Sequence, residues 1–194
     1  MRLGIFAIFT LLALSIDAGL SDLLRIESLW EIRPNFCGVL AVFVALSAPR
    51  ITALWGCFVI GLMLDLSIEH TTGGNRGVYL VGPYALGLLA GGWLVLRCRT
   101  MVFRRRALTI GVMTLVALLV AQAIVVMLLV LRSRSWYPGG PIHWPDTAVG
   151  IELLRRILIA VYSGLAALPF GWLLVRTLPV WRFQTGVHRT AVMR

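Results

Sequence analysis

Apolar residues gather into six stretches, at 3–20, 34–48, 51–68, 77–96, 107–131 and 151–176, parted by short segments rich in Arg, Pro, Gly and acidic residues. A helix satisfies its own backbone hydrogen bonds in lipid, whereas a polar connection such as Glu69 to Arg76 cannot stay in hydrocarbon. The pattern predicts an all-α fold: one polytopic membrane domain over 1–194, a bundle of six transmembrane helices. The stretch at 34–48, bracketed by Pro34 and Pro49, is the ambiguous one. At about 1.5 Å per residue it reaches only about 20–23 Å, short of a roughly 30 Å hydrocarbon core, so it is a short spanning helix or a re-entrant one.

The first stretch follows a single Arg2, as a signal peptide would, but Ile16-Asp17-Ala18 has no small-x-small cleavage pattern, and an uncleaved helix is expected. Residues 21–33 interleave both charge signs with Leu, Ile and Trp, which fits a helix lying among the headgroups or a solvated extension of the first helix. Between the fourth and fifth stretches the segment RCRTMVFRRR holds five arginines. The loop 132–150 carries Pro, Gly, Trp and Tyr and reads as interfacial, and beyond it Glu152 has Arg155 and Arg156 at helical spacing.

Composition supports the membrane reading: 59% of the residues are hydrophobic and mean hydropathy is +0.90. The formal net charge of +10 comes from eighteen basic residues that are all Arg. They lie mostly between apolar stretches, where they set orientation and meet anionic lipid, and no basic patch interleaved with aromatics suggests nucleic acid. Six spans put eleven of the eighteen arginines, the RCRTMVFRRR loop among them, on the side of both termini. Five spans would put that loop opposite the N-terminus, against the positive-inside bias, so six are expected, in a cell membrane with both termini cytoplasmic. Cys37, Cys57 and Cys98 have neither disulfide-framework nor metal-ligand spacing and read as small apolar fillers.

Asp65 is the foremost candidate for a polar role. An acid within an apolar helix faces protein, water or a partner; the plainer reading is a packing carboxylate that accepts hydrogen bonds from the following turn or pairs with Arg76. Asp17 lies at a similar depth at the end of the first helix. In the fourth stretch Leu80, Tyr84, Gly87 and Gly91 recur at helical spacing, and Gly87-x-x-x-Gly91 admits a close backbone, either a partner's or one from its own bundle. Gln122 and Thr114 suggest a polar clasp on an inward face. His70, His143 and His188 fall in separate polar regions, and no catalytic constellation, metal set, phosphate loop or cofactor motif is expected.

The run Gly61-Leu62-x-x-Asp65-Leu66, a polar turn and a Gly-rich stretch from Gly77, after a short Pro-preceded second helix, resembles the MreD family of rod-shape-determining membrane proteins. Gly61, Leu62, Asp65 and Gly77 match its pattern; the likeness is sharpest over 34–92 and is one of topology from Met101 onward. The chain departs from the pattern at Pro83-Tyr84, in the turn His70 to Asn75 and in the long 132–150 loop. The resemblance implies a non-enzymatic part in bacterial cell elongation and peptidoglycan synthesis. It implies binding to the single-anchor protein MreC and, through it, links to MreB and the RodA/penicillin-binding-protein synthases. It also implies a fold similar to the substrate-binding subunit of energy-coupling-factor vitamin transporters. Asp65, Gly61, Arg76, Gly77, Tyr84, Gly87 and Gly91 are then the expected partner-binding or packing residues. A transporter substrate-binding subunit is the alternative; it needs an outward ligand cavity, and the outer loops show no dense polar pocket.

Overall fold

The computed structural model describes residues 3–24, 32–71, 77–100, 107–133 and 149–181. Among them are six α-helices: α1 (Leu3–Leu23), α2 (Phe36–Ser47), α3 (Arg50–Ser67), α4 (Pro83–Cys98), α5 (Ala107–Ser133) and α6 (Val149–Trp181). Three are long and apolar enough to cross a membrane, over Arg50–Ser67, Leu108–Leu131 and Gly150–Trp181. The apolar segments Leu3–Gly19, Phe36–Ser47 and Pro83–Cys98 are shorter.

The short second helix owes its character to its position. Every residue of α2 from Phe36 to Leu46 is buried, and α2 touches all five other helices. A helix that is apolar all round belongs in the middle of a bundle. Its neighbours come close where side chains are small: a Cβ on Gly38 would lie 2.6 Å from a Leu118 methyl of α5, and one on Gly56 of α3 would lie 2.9 Å from Val44. At the other end of the bundle Trp181 of α6 is fully buried, with ring centroids 4.8 Å from Phe9 of α1 and 5.4 Å from Phe43 of α2.

The fourth helix departs from the sequence expectation. Residues 77–79 do not open a helix but form a strand, β2 (Gly77–Tyr79), paired antiparallel with β1 (Glu69–Thr71) in the register Glu69 to Tyr79, His70 to Val78 and Thr71 to Gly77. Gly82 then turns the chain with φ at 131°, a conformation L side chains rarely adopt, and Pro83 sits at the first helical position. There the missing proline N–H leaves no helical bond unmade and its fixed φ suits helix entry. Pro83 therefore starts the helix, at one of the positions where the sequence departs from the family pattern. Arg76, residues 25–31, most of the basic loop and most of the 132–150 loop lie outside the described residues.

Candidate functional site

Asp65 sits in the last turn of α3, and its residue is 2% exposed. Its Oδ2 accepts the backbone N–H groups of Gly82 at 2.9 Å and Ala85 at 3.0 Å, and its Oδ1 accepts that of Tyr84 at 2.9 Å. These are the donors that the start of α4 leaves open, because Gly82 at the N-cap has no side chain to meet them. A carboxylate there also faces the positive end of the helix dipole. Gly61, one turn earlier on the same face, lets α4 come this close: a Cβ on it would stand 2.6 Å from both Ala85 Cα and Tyr84 O. Two residues of the sequence motif thus act on one turn of the chain.

Asp17 does the same for α2. Its Oδ1 accepts from Phe36 N–H at 2.7 Å and its Oδ2 from Cys37 N–H at 2.9 Å, while Asn35 Oδ1 accepts from Gly38 N–H at 2.6 Å. Ser163 of α6 takes the N–H of Asn35 at 2.9 Å, which fixes this entry against the far end of the chain. The separations repeat: Asp17 reaches residues 19 and 20 further on, and so does Asp65. In both pairs an acid in the C-terminal part of one helix, Asp17 of α1 and Asp65 of α3, meets backbone donors at the start of the next. The two carboxylates serve different helices.

Gly87 and Gly91 pack inside the bundle. A Cβ on Gly87 would lie 2.8 Å from the carbonyl oxygen of Ala121, and one on Gly91 would lie 2.7 Å from that of Ala117, both on α5. Gly92, on another face of α4, has Cys57 of α3 at 2.5 Å from the same ideal position. Helix α4 is held between α3 and α5 by the absence of side chains on both flanks. Gly77 lies in β2 and Arg76 outside the described residues.

Tyr84 links this packing to an ionic cluster. Its N–H is held by Asp65, and its hydroxyl oxygen accepts from Arg156 Nη1 at 3.3 Å. Arg156 also donates through Nη1 to Gln122 Oε1 at 2.7 Å and through Nε to Glu152 Oε1 at 2.8 Å. Arg155 lies 3.6 Å from the other oxygen of Glu152. The alternatives at helical spacing are both used, and the expected clasp at Gln122 closes on α6; Thr114, its suggested companion, is buried with its hydroxyl unpartnered among the described residues.

Above the cluster is a cavity of about 500 Å³, walled by the ends of α1 and α3, the starts of α2, α4 and α6, and Gln122 of α5. Asp17, Arg33, Tyr84, Glu152, Arg155 and Arg156 line it. No dense polar pocket was expected from the loop residues; the polar groups come instead from helix ends distant in sequence. Among the described residues no three His, Cys, Asp or Glu side chains gather as a metal site. Comparison of the chain with protein-family models, with curated proteins and with solved structures gives no match.

Proposed function

We propose that the chain is a non-catalytic, six-span scaffold of the bacterial inner membrane, of the MreD type. It binds a single-anchor MreC-like protein and, through that partner, is tied to MreB and the RodA/penicillin-binding-protein synthases that build peptidoglycan during elongation. The observation that carries the reading is the convergence of Gly61 and Asp65 on residues 82–85. The residues on which the resemblance rests have an architectural task, joining two helices, and Asp65 is engaged in it by both oxygens. The partner's anchor then meets lipid-facing surface, since α5 already covers Gly87 and Gly91.

Charge supports the orientation. With six alternating spans, all eight acidic residues, from Asp17 to Glu152, belong to the outer end, and eleven arginines belong to the cytoplasmic end with both termini. Anionic lipid of the inner leaflet suits that cytoplasmic end. A fold similar to an energy-coupling-factor substrate-binding subunit agrees with five helices around a central short one.

A second reading, a substrate-binding subunit for a small molecule, draws on the cavity among the helix ends. Co-expression with the MreC-like protein of the same genome separates the two. The scaffold reading expects a complex that survives detergent extraction and affinity purification in stoichiometric amounts. Separate elution of the two proteins, with the bundle itself folded, contradicts it.

A further inference from the structure

Arg156 holds more hydrogen-bonding capacity than the bundle uses. A guanidinium has five N–H donors in a fixed fork. Glu152 takes Nε, and Gln122 and Tyr84 take Nη1, but among the described residues no acceptor takes the two N–H groups of Nη2. The side chain is only 11% exposed, and it lines the cavity. Nη2 is not fully buried and opens on the cavity, where a charged acceptor would make charge-assisted hydrogen bonds shorter and stronger than those between neutral groups.

Charge decides which occupant. Three arginines on the cavity, Arg33, Arg155 and Arg156, stand against two acids, Asp17 and Glu152. Asp17 is directed at the N–H groups of Phe36 and Cys37, and Glu152 is shared by Arg155 and Arg156 at 3.6 Å and 2.8 Å. The described lining is therefore cationic by one charge. Gln122 and Tyr84 hold the guanidinium in place before anything binds, which lowers the ordering cost of binding. Leu64 and Ile159 add apolar wall, and about 500 Å³ lies within the range of small-molecule sites.

The geometry points to this cavity as a binding site for an anionic ligand, its carboxylate or phosphate group seated on Arg156 Nη2 with Arg33 and Arg155 nearer the mouth. A free small anion and the phosphate of a lipid headgroup share that chemistry. The inference is independent of partner binding: anion binding without a partner, or a partner complex without anion binding, tells the two apart.

The test uses the full chain purified in a neutral detergent, with its unfolding midpoint followed as inorganic phosphate is added against chloride at equal ionic strength. A parallel series uses nanodiscs of phosphatidylcholine with and without phosphatidylglycerol. Saturable stabilisation by phosphate identifies a free anion, and stabilisation confined to phosphatidylglycerol identifies a headgroup. In either case Arg156→Lys, which keeps the charge but loses the fork, is expected to weaken apparent affinity about tenfold. Arg155→Gln, at a side chain 35% exposed, weakens it while the bonds of Arg156 to Glu152, Gln122 and Tyr84 stay in place, and serves if the first variant does not fold. The absence of stabilisation in both series overturns the inference, as does an unchanged response in the folded variants.

Discussion

Asp65 shows how a carboxylate can sit in an apolar helix with both of its oxygens taken by backbone donors. Three backbone N–H groups surround it, and each is a donor that the next helix could not satisfy from its own residues. Removing the carboxylate leaves those donors facing apolar neighbours. Asp65→Ala is expected to lower stability by about 3 kcal/mol, and Asp65→Asn by less, because an amide keeps one acceptor. Unfolding in mixed micelles measures both. A variant as stable as the parent would mean that water or another group replaces the carboxylate. That the acid needs polar company was legible in the sequence from its depth, but the expected donors were those of the polar turn that follows it, whereas the ones it meets, Gly82, Tyr84 and Ala85, lie beyond that turn at the start of α4. Its counterpart at Asp17 was legible only as an acid of similar depth. The shared separation of 19 and 20 residues becomes visible once the donors are known.

The helices themselves were readable from apolar runs, and α1, α3, α5 and α6 lie close to where those runs put them. The start of α4 was not, because hydropathy does not separate Gly77–Tyr79 from the helix beyond. Backbone geometry does: Gly82 at positive φ and Pro83 at the first helical position divide the run into strand and helix. Packing was half-readable in the same way. Gly87-x-x-x-Gly91 announces a close backbone without saying whose, and the answer is α5. Gly87→Leu is therefore expected to force α4 and α5 apart and to destabilise the bundle by about 3 kcal/mol, the upper part of the usual overpacking range. Gly19→Leu on α1 is the contrasting case, since a Cβ there meets nothing within 4 Å, and its effect is expected within about 0.5 kcal/mol. Equal losses in the two variants would contradict this packing. The cavity was hidden for another reason: Arg33, Tyr84, Gln122 and Arg156 are far apart in sequence, and only the bundle brings them together.

At the scale of the whole molecule, a short buried helix lies at the centre, longer ones surround it, and two acid-capped helix pairs form the first half of the chain. Among the described residues Asp17, Asp65 and Glu152 lie at the helix ends around the cavity, and Arg50, Arg97, Arg99 and Arg176 lie at the opposite ends of their helices. The proposed six passages through the bilayer, with both termini on the cytoplasmic side, fit that division. Site-directed labelling in intact cells tests it directly. With Cys37, Cys57 and Cys98 replaced by alanine, single cysteines are placed at Arg2, Arg105 and Arg189 and, for the opposite side, at Asn75 and Gly140. A membrane-impermeant maleimide is expected to reach Asn75→Cys and Gly140→Cys from outside, and the other three only after the membrane is opened. Labelling of Arg2→Cys and Arg189→Cys from opposite sides would contradict the six-span scaffold.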